Sequence, residues 1–131
     1  MEDLILLDSS VLIDYYSKTQ KDKSFFFHLS NQFSGYNISV ITEYETLLGG
    51  NELFWKNLFL DFTIITYSSA INSYALKIQQ DPKKKRKSID FRDLIIAATV
   101  FRFSLPLATI NKKHFENIDS LQLITPKDFG L

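Results

Sequence analysis

Short apolar runs alternate along the chain with longer segments in which apolar positions recur at helical spacing. Residues 4–7, Leu-Ile-Leu-Leu, form an uninterrupted apolar run, which is typical of a strand buried on both faces of a sheet. Further strands are predicted at residues 37–40, 62–65, 105–108 and 121–124. Helices are predicted at residues 11–16, 25–33, 42–49, 53–60, 69–78 and 89–103, with one or two helical turns at 112–117.

Short strands that alternate with helices predict βαβ crossovers, and therefore a parallel sheet with helices on both faces. We expect an α/β fold of three layers, α/β/α, around a five-stranded parallel sheet. A length of 131 residues is common for one domain, and the sequence shows no repeat and no internal linker. The expected organisation is a single domain over residues 1–131.

Two helix starts are predicted from capping patterns. Thr42 and Glu45 have the spacing of a capping box, in which both side chains satisfy backbone groups at a helix start. Ser88 is the expected cap of the long apolar helix at 89–103, after a polar loop at 79–88. This interpretation gives Glu45 a structural role.

The composition restricts the kinds of site that the chain can build. At 45% hydrophobic residues the chain has enough apolar side chains for a core. It has no cysteine and only two histidines, which excludes disulfides and thiolate zinc sites and disfavours a histidine zinc centre. A bound metal would have mostly oxygen ligands, which suit Mg²⁺ or Mn²⁺.

The chain shows no sign of a membrane or secreted location. The first residues lack the basic region and long apolar run of a signal peptide, and no segment reaches the roughly 18 apolar residues of a membrane span. A cytoplasmic protein with no membrane association is therefore expected. The net charge is zero, so affinity for nucleic acid would have to come from a local patch.

Four polar residues from distant parts of the chain are predicted to meet at one edge of the sheet. Asp8 directly follows the first strand, Glu43 follows the second, and Asn111 comes shortly after the fourth. Asp93 lies one turn into the last long helix. In open parallel sheets, ligands bind beyond the carboxyl ends of the strands. If the first and fourth strands are neighbours, these groups converge, and crowded carboxylates favour a divalent cation.

Each acid also has a structural explanation. Asp8 has the position of a helix cap, and Glu43 and Asp90 lie in first turns, where the helix dipole favours any acid. Asp93 is harder to explain in this way, since a carboxylate on an almost wholly apolar helix is costly to bury without a partner. Arg92 is expected to point to a different face.

Four segments resemble the PIN-domain family, and especially its VapC-type toxin ribonucleases. They occur in the family's order and spacing over nearly the whole chain: Leu-Asp-Ser-Ser-Val-Leu-Ile at 7–13, Ser-Val-Ile-Thr-Glu-Tyr-Glu at 39–45, Asp-Leu-Ile-Ile-Ala-Ala-Thr at 93–99 and Leu-Ala-Thr-Ile-Asn-Lys-Lys-His-Phe at 107–115. The resemblance implies a five-stranded parallel sheet and RNA cleavage that depends on Mg²⁺ or Mn²⁺. It also implies a homodimer and inhibition by an antitoxin protein.

The resemblance also assigns site positions. Asp8, Glu43 and Asp93 fall on the family's catalytic and metal-binding acids, while Ser10 and Thr109 match accessory hydroxyl positions. Many relatives carry a fourth acid where this chain has Asn111, which adds no charge. Asp90 is three residues before Asp93 on roughly the same helical face, so it is a candidate to compensate.

The resemblance implies the toxin ribonuclease of a type II toxin–antitoxin pair, in which a metal-activated water attacks the RNA phosphodiester. A basic run precedes the Asp93 helix and is a candidate RNA-binding segment that contacts phosphates; it comprises Lys83, Lys84, Lys85, Arg86 and Lys87. The alternatives for this run are a solvated surface loop or, in a eukaryotic chain, a nuclear localisation signal.

The sequence also permits two alternatives to a nuclease. The first is another doubly wound protein, a haloacid-dehalogenase-type phosphotransferase or a receiver domain. The former expects Asp-x-Asp where position 10 is serine, and Asp3 and Asp8 are spaced wrongly for the acidic pair of the latter. The second is a catalytically inactive PIN-like module that binds RNA or acts as a scaffold, which the Asn111 departure permits.

Overall fold

The sheet and helices follow the predicted order. The computed structural model describes residues 3–81 and 89–131. The strands are β1 (Leu4–Leu7), β2 (Gly35–Ser39), β3 (Thr63–Ile65), β4 (Leu107–Ala108) and β5 (Leu123–Ile124). The helices are α1 (Ser9–Ser17), α2 (Phe25–Leu29), α3 (Val40–Leu48), α4 (Glu52–Leu58), α5 (Ser69–Gln79) and α6 (Phe91–Phe103). Short 3₁₀ turns lie at Lys21–Lys23, Phe59–Asp61, Lys112–His114 and Pro126–Phe129.

The five strands form one parallel sheet in the order β3-β2-β1-β4-β5. This confirms the predicted five-stranded parallel sheet. Strand β1 is central, and Leu7 lies opposite Ala108 of β4. The backbone N–H of Asp8 donates to the Ala108 carbonyl at 3.0 Å. The residues that follow β1 and β4 therefore lie side by side at the carboxyl edge, as the predicted convergence requires.

The apolar run of β1 is buried on both faces of the sheet. Ile5 and Leu7 pack into a cluster with Val11, Leu12 and residues of α2 and α4. Leu6 points to the opposite face and packs against α6. Because alternate side chains of a strand point to opposite faces, a strand between two helical layers must be apolar throughout. The sheet thus has helices on both sides, which confirms the three-layer α/β/α class.

The start of α3 differs from the prediction. Strand β2 ends at Ser39, whose hydroxyl accepts a hydrogen bond from the Ile41 backbone N–H at 3.1 Å. Ser39 is therefore the N-cap, and the predicted capping box of Thr42 and Glu45 is wrong. The earlier start places Thr42 in the first turn, where its side chain is fully buried. Glu45 is consequently free of the capping role assigned to it.

The start of α6 also differs, and Asp90 is its N-cap residue although its side chain makes no capping hydrogen bond. Ser88, the expected cap, lies outside the described residues, as does most of the predicted loop at 79–88. Helix α5 extends one residue further than expected, to Gln79. Within residues 3–81 and 89–131, none of the helices combines the length and apolar character needed to cross a bilayer.

The fold predicts a clear contrast between two leucine truncations. Leu12 is fully buried between α1 and the sheet, whereas Leu60 is 80% exposed. Leu12→Ala should lower the free energy of unfolding by about 2–5 kcal/mol because it leaves a cavity, and Leu60→Ala should change it by less than about 0.5 kcal/mol. Urea denaturation measures both. Equal effects in the two variants would contradict the placement of Leu12 in the core.

Candidate active site

Asp8 is buried at the carboxyl edge of the sheet, where β1 passes into α1. It is 1% exposed, and although it occupies the N-cap position of α1, its side chain makes no capping hydrogen bond. Its Oδ2 atom instead accepts hydrogen bonds from Ser10 Oγ and Thr109 Oγ1, both at 2.9 Å. The capping explanation for Asp8 therefore fails, because its carboxylate is directed into a polar cluster.

The two hydroxyls that contact Asp8 are themselves held by the loop after β4. Ser10 Oγ accepts from the Ile110 backbone N–H at 3.1 Å, and Thr109 Oγ1 accepts from the Asn111 backbone N–H at 3.0 Å. These bonds hold the two hydroxyls in place, and the hydroxyls in turn fix the orientation of Asp8 Oδ2 between the ends of β1 and β4. Asn111 contributes its backbone N–H to this network, and the residue is exposed to solvent.

Arg92 is the residue that gathers the carboxylates. Its Nε and Nη2 atoms donate to the two oxygens of Glu45 at 2.7 and 2.9 Å, and its Nη1 donates to Asp93 Oδ1 at 2.9 Å. Nη2 also donates to Asp8 Oδ1 and to Ser9 Oγ. The expectation that Arg92 faces away from the site is wrong. Its long side chain reaches back from the first turn of α6 to β1 and α3.

Glu45, not Glu43, is the α3 acid that the structure brings to Asp8 and Asp93. Two residues are about 200° apart around a helix, so Glu43 and Glu45 point to opposite sides of α3. Within the described residues the Glu43 side chain forms no hydrogen bond or ion pair, and its charge acts on Lys56 of α4. The structure therefore does not join Glu43 to the cluster.

Asp93 completes the cluster from the first turn of α6. It is 5% exposed, and its second oxygen, Oδ2, lies 3.3 Å from Nδ1 of His114. Burial raises the pKa of the Asp93 carboxyl, and the charge of exposed Asp90 acts in the same direction; the contacts with Arg92 and His114 oppose the rise. The expected desolvation of Asp93 is thus present, together with partners that offset part of it.

The electrostatics of the cluster are dominated by negative charge. Burial opposes the charge of Arg92, but hydrogen bonds and charges from Glu45 and Asp8 hold the pKa of its guanidinium above its ordinary value. One permanent positive charge therefore faces three carboxylates from three elements. Such a balance attracts a further cation.

The chemistry of these side chains suits a hard divalent ion, but their present arrangement does not complete a site for one. Asp8, Glu45 and Asp93 offer carboxylate oxygens, the ligands that Mg²⁺ and Mn²⁺ prefer. In the part of the chain that the structure describes, however, no three acid or histidine side chains are placed to hold one metal ion together. The Arg92 guanidinium lies between the carboxylates instead.

The predicted RNA-binding run lies outside the described residues; it comprises Lys83, Lys84, Lys85, Arg86 and Lys87. Their contact with RNA stays a prediction.

Comparison with known proteins identifies the family. The chain is 36% identical to Ribonuclease VapC1 of Methanocaldococcus jannaschii over 134 aligned positions, which cover 99% of this chain and 86% of that protein. The chain belongs to the VapC ribonuclease family. No protein-family model matches it.

Solved structures similar to this VapC-family chain support the assignment. A toxin-antitoxin complex from Klebsiella pneumoniae matches at a TM-score of 0.74 and 29% identity, covering 93% of this chain and 97% of that chain. VapBC2 from Rickettsia felis, bound to a DNA fragment from its promoter, matches at a TM-score of 0.75 and 20% identity, covering 93% and 98%. At that lower identity the likeness concerns the fold alone.

Thr109 provides a test of how tightly Asp8 is held. Thr109→Val removes the hydroxyl that donates to Asp8 and accepts from a backbone N–H, so it should cost about 1–3 kcal/mol of folding free energy. Thr99→Val is the matched control, because the buried Thr99 hydroxyl donates to the Ile95 carbonyl of its own helix and, among the described residues, to no other group. Urea denaturation compares the two. A Thr109 variant as stable as the Thr99 variant would contradict this hydrogen-bond network.

Proposed function

We propose that this VapC-family protein is the ribonuclease toxin of a type II toxin–antitoxin pair and hydrolyses RNA phosphodiester bonds with the help of Mg²⁺ or Mn²⁺. The observation that carries the proposal is that three acids, Asp8 after β1, Glu45 in α3 and Asp93 in α6, all contact the Arg92 guanidinium at the carboxyl edge of the sheet. The Methanocaldococcus relative is a ribonuclease by name, which supports the same activity here.

The division of labour within the site follows from which oxygen atoms are already engaged. In Asp8, Oδ2 is held by Ser10 and Thr109, which leaves Oδ1 directed toward the shared space that Arg92 fills. In Asp93, Oδ1 faces the same space. We assign Asp8 and Asp93 as metal ligands and Ser10 and Thr109 as residues that orient Asp8. A bound divalent ion would acidify a water molecule and offset charge on the phosphate oxygens.

Glu45 is the third acid of this proposal, and Glu43 is the alternative that the sequence resemblance favours. Glu45 shares Arg92 with Asp8 and Asp93, whereas Glu43 acts on Lys56. Asp90 and Asn111 remain accessory candidates. The charge of Asp90 reaches Asp93, and the Asn111 backbone supports Thr109.

The partner of this toxin would be an antitoxin protein. The Klebsiella match is a toxin-antitoxin complex, which supports an antitoxin for this chain as well. The proposal also includes a homodimer and a single domain over residues 1–131. It further includes a cytoplasmic location, where RNA is present.

Isosteric substitutions of the two buried aspartates test the activity. Asp8→Asn and Asp93→Asn should each lower the rate of RNA cleavage by about 100-fold or more, because an amide cannot replace a charged ligand. Asp61→Asn is the matched control; Asp61 is exposed and precedes β3, at the opposite edge of the sheet. Cleavage of a mixed-sequence fluorogenic RNA with Mg²⁺ or Mn²⁺ gives the rates.

Circular dichroism of the same variants separates lost chemistry from lost folding. We expect native spectra in all three variants, with cleavage lost in Asp8→Asn and Asp93→Asn and kept in Asp61→Asn. Full cleavage by folded Asp8→Asn or Asp93→Asn would refute the assignment. RNA binding by the wild type without cleavage in either metal would favour the inactive PIN-like module.

A second pair of variants identifies the third acid. Glu43 and Glu45 lie on the same helix and differ in their orientation, so Glu43→Gln and Glu45→Gln make the same chemical change on opposite sides of α3. Glu45→Gln should lower cleavage by about tenfold or more, and Glu43→Gln should leave it within about twofold. The reverse order of effects would restore Glu43 as the catalytic acid.

A further inference from the structure

Arg92 has a position that the proposed metal-dependent cleavage does not explain. Its guanidinium forms hydrogen bonds with Asp8, Glu45 and Asp93, the same three acids to which cleavage is assigned. We propose that Arg92 is an internal counter-ion of the catalytic centre, which competes with the divalent ion for these carboxylates and must withdraw before the ion binds. This inference rests on the proposed function, because it assumes that the ion binds Asp8 and Asp93.

The Arg92 guanidinium is held between three carboxylates and is largely shielded from solvent. Only 21% of its side chain is exposed. Each of its three nitrogen atoms donates to a carboxylate. Nε donates to Glu45 at 2.7 Å, Nη1 donates to Asp93 at 2.9 Å, and Nη2 donates to Asp8. A planar guanidinium matches several carboxylates at once and is less strongly hydrated than an ammonium. These features make Arg92 a strong competitor for the cluster.

The competition is specific to particular oxygen atoms. Asp8 Oδ2 already accepts from Ser10 and Thr109, and Asp93 Oδ2 faces His114. The remaining oxygens, Oδ1 of Asp8 and Oδ1 of Asp93, are the ones that Arg92 binds. An ion that uses these two aspartates therefore takes over the atoms that Arg92 now holds.

Withdrawal of Arg92 leaves both buried aspartates with other partners. Asp8 keeps its two hydroxyl partners when the guanidinium withdraws, and Asp93 keeps its contact with His114. Arg92 lies in the first turn of α6, next to the exposed residues Asp90 and Phe91. Its side chain, 21% exposed, can turn toward solvent from this position. The measured association constant for the metal is then the intrinsic constant multiplied by the fraction of molecules in which Arg92 is withdrawn.

Manganese binding to Arg92→Gln tests the competition without any assay of activity. Titration of the metal-free protein with Mn²⁺, followed by the electron paramagnetic resonance of free Mn²⁺, should show a dissociation constant about tenfold or more below that of the wild type. Arg102→Gln is the matched control, because it removes the same charge from the same helix. Arg102 is exposed and lies over the Phe103 ring, so its loss should leave the constant within about twofold of the wild type.

Two further measurements keep the test decisive if Arg92→Gln folds poorly. Arg92→Lys keeps the charge but not the planar set of donors, so its manganese affinity should lie between those of the wild type and Arg92→Gln. In the wild-type protein, the NMR signal of the Arg92 Nε–H group should shift on addition of diamagnetic Mg²⁺, because binding must displace the guanidinium.

The outcomes separate this inference from the proposed function. Wild-type protein that binds Mn²⁺ as tightly as Arg92→Gln and Arg92→Lys would overturn the competition and leave metal-dependent cleavage standing. So would an unchanged Arg92 Nε–H signal at saturating Mg²⁺. Absence of Mn²⁺ binding in every variant would overturn both. Tighter binding in Arg92→Gln, with Arg102→Gln unchanged, supports both.

Discussion

One set of ion pairs joins the parts of this molecule that its function depends on. The Arg92 guanidinium connects Asp8 after β1, Glu45 in α3 and Asp93 in α6. These residues are far apart along the chain, and two of the acids are nearly completely buried. Buried carboxylates without a partner would cost several kcal/mol, so the Arg92 cation between them offsets part of the cost of burying them.

The sheet determines where this cluster forms. Because all five strands are parallel, the residues that follow β1 and β4 emerge at the same edge, and pairing of β1 with β4 places Thr109 beside Asp8. Helix α6 covers one face of β1 through Leu6 and directs Asp93 to the same edge. The apolar core and the polar site are thus two results of a single packing arrangement. The family likeness is consistent with it, since solved VapBC structures share this fold over 93% of the chain.

The sequence was informative wherever one local pattern decides the structure. The apolar run of β1 predicts a strand covered on both faces, and the apolar helix around Asp93 predicts a carboxylate that needs a partner; both features are present. The orientation of α3 could not be obtained in this way, because it depends on whether Ser39 or Thr42 begins the helix. Both residues are good caps, and the end of β2 decides between them. A helix that begins at Thr42 gives Glu45 a capping role, whereas a helix that begins after Ser39 leaves Glu45 available for the site.

Arg92 shows a different limit of sequence reasoning. A helical wheel gives the direction of a Cβ atom, but a long side chain can cross to a neighbouring element, and only the charge around it decides whether it does. The available signal was the requirement that crowded acids find a cation. That requirement pointed to a metal ion, although an arginine beside Asp93 meets part of it within the chain itself.

Crystal structures grown with and without Mn²⁺, with data collected at the manganese absorption edge, test the central claim most directly. The account predicts that the metal-free crystal has the Arg92 guanidinium between Asp8, Glu45 and Asp93. With manganese, it predicts one anomalous peak within coordination distance of Asp8 and Asp93 and an Arg92 side chain turned away from them. A manganese peak at these aspartates beside an unmoved Arg92, or a peak elsewhere in the molecule only, would contradict it.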